Sequence, residues 1–163
     1  MASKEINVST RILNPPSERH TFRAPPETSL LQVMQIGATS AAVDLLPPGD
    51  QPFDRLHALG NGNVPGPVIE DLQQSIGTYL STRGREPDFG IELVPSIRVN
   101  ARWAVATAAT MTPRQILTLF HLDSQDYSLY HERSAELLPI DTPVATSRGV
   151  AFEAQRDGKY GQE

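Results

Sequence analysis

Apolar and polar residues alternate along the first 24 residues, as they do in strands that are buried on one face. In the segment 6–13, Ile6, Val8, Thr10 and Ile12 share one face, which predicts a strand. A proline-containing turn at 14–18 separates this segment from a second alternating one, 19–24. The pattern therefore predicts a β-hairpin.

A helix is predicted directly after this hairpin. Ser29 and Gln32 have the spacing of a capping box, in which each side chain satisfies a backbone N–H of the first turn. The apolar residues of 30–34 supply a buried face, and Gly37 is a natural residue to end the helix.

The rest of the first half predicts one more helix between two strands. The third strand covers 53–59, and a glycine-rich turn follows it. An amphipathic helix then runs from Pro67 to Ser81 and ends at Gly84, before a strand over 89–94. The order β-β-α-β-α-β is that of the β-grasp fold, in which a helix crosses one face of a sheet.

The pattern restarts after Pro95, a residue that interrupts a strand and suggests a domain boundary. A hairpin is predicted over 96–110, with Trp103, Val105 and Thr107 on one face. Thr112, Pro113 and Gln115 then give the N-cap, the first helical residue and the capping-box partner of a short helix.

Three further strand segments complete the second half. The segment 126–131 is a strand whose buried face holds either Tyr127, Leu129 and His131 or the alternate residues Ser128 and Tyr130. The segment 137–144 is a broken edge that contains proline, and 149–156 is a final strand with Val150, Phe152 and Ala154 on one face.

These element orders predict an α+β protein of two tandem ubiquitin-like β-grasp domains with a flexible C-terminal tail. The first domain covers 1–94 and includes an extra helix, the second covers 96–156, and the tail covers 157–163. The two halves share an order of elements but not a sequence. A single α+β domain that contains all of the strands remains the alternative.

Composition narrows the function. The net charge is −5, and the 14 basic residues are scattered, so no nucleic-acid surface is expected. Apolar runs are too short to cross a membrane, and the first residues have no hydrophobic leader segment, so we expect a cytoplasmic protein. The absence of cysteine excludes disulfides, thiolate zinc sites and a thiol nucleophile in this chain.

The histidines do not indicate a catalytic or metal site. His20, His57, His121 and His131 are scattered along the chain and have no zinc-binding spacing. His20 and His131 lie in predicted strands, and His121 lies at a helix C-terminus, where a cation is favourable.

Two other motifs are also weak as sites. The neighbours Glu70 and Asp71 point in different directions on the predicted second helix and are expected to be solvated. The glycine-rich segment 60–66 lacks the lysine and hydroxyl of a phosphate-binding loop. We therefore expect no enzyme, no metal and no cofactor.

The tail is the candidate functional segment. No apolar pattern holds 157–163 to a core, and seven extended residues reach about 23 Å. Gly161 is slim enough for its carboxylate to enter a narrow catalytic channel once Gln162 and Glu163 have been removed. The alternative is a frayed polar tail whose glycines are incidental.

The second half resembles the bacterial ubiquitin-like modifiers that occur in E1-E2-deubiquitinase-like conjugation operons. The similar stretches are 97–103, 111–117, 126–130 and 148–152, whereas the first half is similar only in its order of elements.

The resemblance implies a modifier with several protein partners. It is processed between Gly161 and Gln162 by a deubiquitinase-like peptidase, activated by an E1-like adenylating enzyme that uses ATP, and passed to an E2-like conjugating enzyme and to target proteins. Asp157, Gly158, Lys159 and Tyr160 would be the residues that these partners recognise in the tail. The resemblance also implies a role in bacterial anti-phage defence.

The main alternative is a non-covalent β-grasp binding or scaffold module. Its open sheet face would carry the contacts, and the candidate aromatic residues are Trp103, Tyr127, Tyr130 and Phe152. Core packing is the default for at least two of them. A third option is an antitoxin-like or chaperone-like partner that acts by occluding another protein.

Overall fold

A computed structural model describes residues 4–59, 65–83 and 87–157 of the chain. The chain is a mixed α+β protein that divides into two compact units, residues 1–93 and 94–163. Each unit has its own hydrophobic core. Among the described residues, no helix combines the length and the apolarity that a membrane span needs.

The first unit is a five-stranded mixed sheet with two helices. Its elements in chain order are β1 (Ile6–Ile12), β2 (His20–Ala24), α1 (Leu30–Ser40), β3 (Arg55–Leu59), β4 (Pro65–Val68), α2 (Ile76–Arg83) and β5 (Asp88–Glu92). The strand order is β2-β1-β5-β3-β4. The last strand, β5, runs parallel to β1 and antiparallel to β3.

The first hairpin follows its predicted alternation. Val8, Thr10 and Ile12 are buried on one face of β1, and Phe22 and Ala24 lie on the matching face of β2. Helix α1 packs on this face, where Val33 and Met34 are fully buried. Since successive strand residues point to opposite faces, the other face of the sheet carries the polar residues.

Helix α1 begins where the sequence predicts and ends later. The Ser29 hydroxyl accepts from the Gln32 N–H at 3.1 Å, and the Gln32 side chain accepts from the Ser29 N–H at 3.0 Å, which completes the capping box. The prediction that Gly37 ends the helix is wrong, because the helix continues to Ser40. Gly37 is instead a packing residue, since a Cβ there would lie 2.5 Å from the Thr10 hydroxyl oxygen.

The predicted helix from Pro67 to Ser81 is also wrong in its first half. Pro65–Val68 is the edge strand β4, which pairs antiparallel with β3, and α2 begins only at Ile76. The Ser75 hydroxyl accepts from the Thr78 N–H at 3.1 Å and so occupies the capping position. The residues of the predicted turn at 60–63, and Gly84, lie outside the described residues.

The second unit has a four-stranded main sheet whose order matches that of β2, β1, β5 and β3 in the first unit. Its elements are β6 (Ser96–Val99), β7 (Arg102–Val105), β8 (Thr110–Met111), α3 (Pro113–Leu119), β9 (Tyr127–His131), β10 (Val144–Ala145) and β11 (Ala151–Arg156). The main sheet has the order β7-β6-β11-β9, and β8 and β10 form a separate pair. The last strand, β11, is parallel to β6 and antiparallel to β9.

The predicted cap of the second-unit helix is confirmed. The Thr112 hydroxyl accepts from the Gln115 N–H at 3.1 Å, and the Gln115 side chain accepts from the Thr112 N–H at 2.9 Å. Ile116, Leu117 and Phe120 are buried as expected. The predicted hairpin is too long, since β7 ends at Val105 and the chain then turns before β8.

Candidate functional site

The C-terminal end of β11 adjoins the segment that is predicted to be a tail. The strand pairs with β9 as far as Arg156, which lies opposite Tyr127. Asp157 extends this ladder, because its N–H donates to the Asp126 carbonyl oxygen at 2.8 Å. Its carboxylate also accepts a short hydrogen bond from the Ser128 hydroxyl.

Asp157 therefore differs from the expectation for the first residue of a free tail. Its backbone and its side chain are both bound to the β9 side of the sheet, and the residue is only partly exposed. A carboxylate can accept several hydrogen bonds, so the Ser128 hydroxyl still leaves positions open for a partner. The remaining tail residues of the prediction, Gly158, Lys159, Tyr160, Gly161 and Gln162, lie outside the described residues.

The sheet face opposite α3 is the second candidate site, and we call it the open face of the second unit. Arg98 lies opposite Trp103 in the β6–β7 pair, and its guanidinium carbon is 6.0 Å from the centre of the indole ring. Val105 is 38% exposed on the same face. On β9, Tyr130 lies opposite Glu153 of β11.

Register divides the four candidate aromatic residues equally between the two faces. Phe152 is fully buried, and Tyr127 packs against the core, so both stabilise the unit. Trp103 and Tyr130 lie on the open face. Since Leu129 is fully buried, the predicted register with Tyr127, Leu129 and His131 on the core face is confirmed.

An apolar side chain from outside the sheet adds to the open face. Leu137 forms a bridge with Tyr130 and is 55% exposed, the largest exposure among the large hydrophobic residues that the structure describes. Together with Trp103, Val105 and Tyr130 it gives this face several apolar groups beside the Arg98–Glu132 ion pair. This mixture of aromatic, aliphatic and arginine side chains is typical of protein contact surfaces.

The corresponding face of the first unit is polar. The Ser9 and Thr21 hydroxyls are 3.2 Å apart, and Arg19 Nη2 donates to Asp88 Oδ2 at 3.1 Å. His57 then makes two hydrogen bonds on the same face. Its Nε2 lies 2.7 Å from Glu92 Oε1, and its Nδ1 lies 2.8 Å from the Gly66 carbonyl oxygen.

The arrangement around His57 was not predicted from the sequence. Its side chain is only 13% exposed, and its contacts reach β5 and β4 from β3. Arg55 Nη1 approaches the second oxygen of the same carboxylate, Glu92 Oε2, at 3.6 Å. The histidine thus ties the edge strand to the sheet, which is a structural role.

His121, His131 and the pair Glu70–Asp71 lie at separate positions in the fold. His121 is exposed directly after α3, and the ring of His131 packs on Phe152 with 5.3 Å between centroids. Glu70 and Asp71 precede α2 and do not lie on it, contrary to the prediction, and Asp71 accepts from the Gln73 N–H at 3.1 Å. Among the described residues no three His, Asp or Glu side chains could together hold a metal ion.

In the second unit, the ion pair between Arg114 and Asp141 shifts the pKa values of both groups. Arg114 Nε donates to Asp141 Oδ1 at 2.9 Å, and Arg114 Nη2 donates to Asp141 Oδ2 at 3.1 Å. These hydrogen bonds lower the pKa of Asp141 below its usual value and raise the pKa of Arg114 above its usual value. Both groups are exposed, so the pair connects α3 to the loop before β10 without burying charge.

No known protein family matches this sequence, and neither does any curated protein at a significant level.

Proposed function

We propose that both units are β-grasp domains. The support is the shared topology. In each unit a hairpin is followed by a helix, and the last strand enters the middle of the sheet, parallel to the first strand and antiparallel to the third. The helix packs on the same face in each case. In the first unit, β4 and α2 are additions to this common plan.

On this fold we propose that the chain is a ubiquitin-like protein modifier that is conjugated through Gly161. The observation that carries the proposal is the strand order of the second unit, which brings the chain out of the sheet along β11. Gly161 follows four positions after Asp157. Four extended residues span about 13 Å, enough for a glycine carboxylate to enter a partner's active site while the sheet remains outside.

The proposed chemistry uses this chain as a substrate. A deubiquitinase-like peptidase hydrolyses the peptide bond between Gly161 and Gln162. An E1-like enzyme joins the Gly161 carboxylate to the α-phosphate of ATP and releases pyrophosphate. A thiolate of a partner displaces AMP, because this chain has no cysteine of its own. Transfer through an E2-like enzyme ends when a target amine displaces the thiolate and forms an isopeptide bond.

The experiment compares a glutamate placed at Gly161 with a glutamate placed outside the tail. The full chain, with the E1-like and peptidase-like proteins of the same genome and ATP, should lose Gln162 and Glu163 by mass spectrometry and then support ATP–pyrophosphate exchange. Gly161→Glu should abolish the exchange, because a bulky charged residue blocks the acyl position. Gln35→Glu places the same side chain at an exposed position of α1 and should keep most of the exchange activity. Normal activation of Gly161→Glu would contradict the proposal.

The second candidate function is a non-covalent binding module, favoured by the apolar residues on the open face of the second unit. Deletion of Lys159–Glu163 separates the two functions. A binding module keeps its partners after the deletion, whereas a modifier loses all of its covalent products. Val105→Glu makes the opposite test, since it should remove binding through the open face and leave the carboxyl-terminal chemistry intact.

A further inference from the structure

The second unit contains a cavity of about 510 Å³ at the end of the sheet where β9 ends and β11 begins. Arg98 and Glu132 also belong to the open face of the second unit, whereas the other lining residues of the cavity belong to neither candidate site described above. The lining comes from three segments of the chain, one residue of β6, the end of β9 with the turn after it, and the start of β11. The residues are Arg98, His131, Glu132, Arg133, Arg148, Gly149, Val150 and Ala151.

The lining of the cavity is more positively charged than the rest of the second unit. Residues 94–157 contain six arginines and no lysine, and three of these six line the cavity. The same residues include seven carboxylate side chains, but only Glu132 is part of the lining. Among the described residues, the lining therefore includes three arginines and one glutamate.

Two of the three guanidinium groups are held in place by the fold. Arg98 Nη1 donates to the Asn100 carbonyl oxygen at 2.9 Å, and Arg98 Nη2 donates to Glu132 Oε1 at 2.5 Å. Arg148 Nη1 donates to the Val94 carbonyl oxygen at 2.8 Å. The two contacts of Arg98 use two of the five N–H donors of its guanidinium group. Orientation by the protein reduces the entropy that a ligand must remove on binding.

We propose that this cavity binds a phosphate monoester. Planar guanidinium groups match the oxygens of phosphate with paired hydrogen bonds, and a dianion balances the two positive charges in excess. The volume lies in the range of small-molecule sites, so a phosphate leaves room for an attached organic group against Val150 and Ala151. The inference does not rest on the modifier function.

The test follows the amide spectrum of the full ¹⁵N-labelled chain at constant pH and ionic strength. Phenyl phosphate should give saturable shifts confined to residues 98, 131–133 and 148–151. Benzoate, which has a similar ring but one charge, should bind at least about fivefold more weakly. A short phosphoserine peptide then tests which kind of phosphate monoester binds here. If the ligand is a phosphorylated protein, the peptide should bind more tightly than phenyl phosphate. If the ligand is a small phosphorylated molecule, it should not.

Three variants, each of which removes one charge, test the proposal further. Arg133 is exposed in the turn after β9, and Arg133→Gln should weaken phenyl phosphate binding about tenfold. Arg156→Gln removes the same charge at the other end of β11 and should change it less than twofold. Glu132→Gln removes the one carboxylate among the described lining residues and should strengthen phenyl phosphate binding. Equal affinities in the two arginine variants, or shifts that spread over the surface without saturating, would overturn the proposal.

Discussion

The two units use one strand order for two different surfaces. In the first unit, the face opposite α1 is closed by polar pairs between neighbouring strands, with His57 and Glu92 at its centre. In the second unit, the face opposite α3 exposes Val105 and holds Trp103 and Tyr130. Both units bury an apolar face against the helix, whereas the opposite face differs between them.

The two units are most alike in their hydrophobic cores. Truncating a large core side chain in either unit should have the largest effect on stability. Phe89 of β5 and Phe152 of β11 are both fully buried on the central strand. Each contacts another ring, Tyr79 at 5.5 Å and His131 at 5.3 Å. We expect Phe89→Ala and Phe152→Ala each to lower the free energy of unfolding by about 3–5 kcal/mol, measured by urea denaturation followed by circular dichroism. A loss below 1 kcal/mol in either variant would mean that the two phenylalanines are not equivalent.

Substitutions on the sheet face opposite the helix should affect the stability of the two units differently. We expect His57→Ala to cost about 1–3 kcal/mol, because it leaves the half-buried Glu92 carboxylate and the Gly66 carbonyl without their partner. Val105→Ala in the second unit should cost less than about 0.5 kcal/mol, since that side chain is already exposed. Thermal unfolding of both variants provides the measurement. Equal losses would show that both faces serve stability.

The capping boxes should behave alike in the two units. Ser29→Ala and Thr112→Ala each remove the hydroxyl that accepts from the third residue of a helix, so each should cost about 1 kcal/mol. Thr39→Ala, at an exposed position inside α1, is the matched control and should have almost no effect. If one of these two substitutions leaves stability unchanged, the start of that helix is held by other contacts. Such contacts exist for α1, whose Leu30 and Leu31 N–H groups donate to the segment before α2.

The smallest effect concerns the ion pair between Arg114 and Asp141. Because the folded-state pKa of Asp141 is lowered, the pair stabilises the fold above the usual carboxylate pKa, and this contribution is lost as the pH falls through the lowered value. Carboxyl ¹³C NMR should find Asp141 titrating below the usual range of an aspartate side chain. Arg114→Gln should return the pKa of Asp141 to the usual range. An unchanged titration of Asp141 in that variant would assign the shift to another group.

Local patterns predicted most of the elements that depend on local contacts. The two capping boxes and the alternation of β1 involve residues within a few positions of each other, and all three are confirmed. The errors arose where distant residues decide the structure. Gly37 looks like a helix end in sequence, but its role is to let α1 approach Thr10.

The same limit applies to β4 and to the candidate sites. Pro67 is a common first residue of a helix, yet here the pairing with β3 makes Pro65–Val68 a strand. The His57–Glu92 contact joins residues 35 positions apart, and no spacing rule could have found it. Register, which depends on both strands of a pair, decided which aromatic residues face outward.

Trp103 gives the open face of the second unit its own optical reporter. It is the only tryptophan of the chain, and it lies half-buried beside the Arg98 guanidinium. A protein that covers this face would exclude water from the indole ring and shift its emission to shorter wavelength. A protein that contacts only the carboxyl-terminal residues would leave the emission unchanged. Intrinsic fluorescence of the unlabelled chain can therefore distinguish which of these two regions a partner uses.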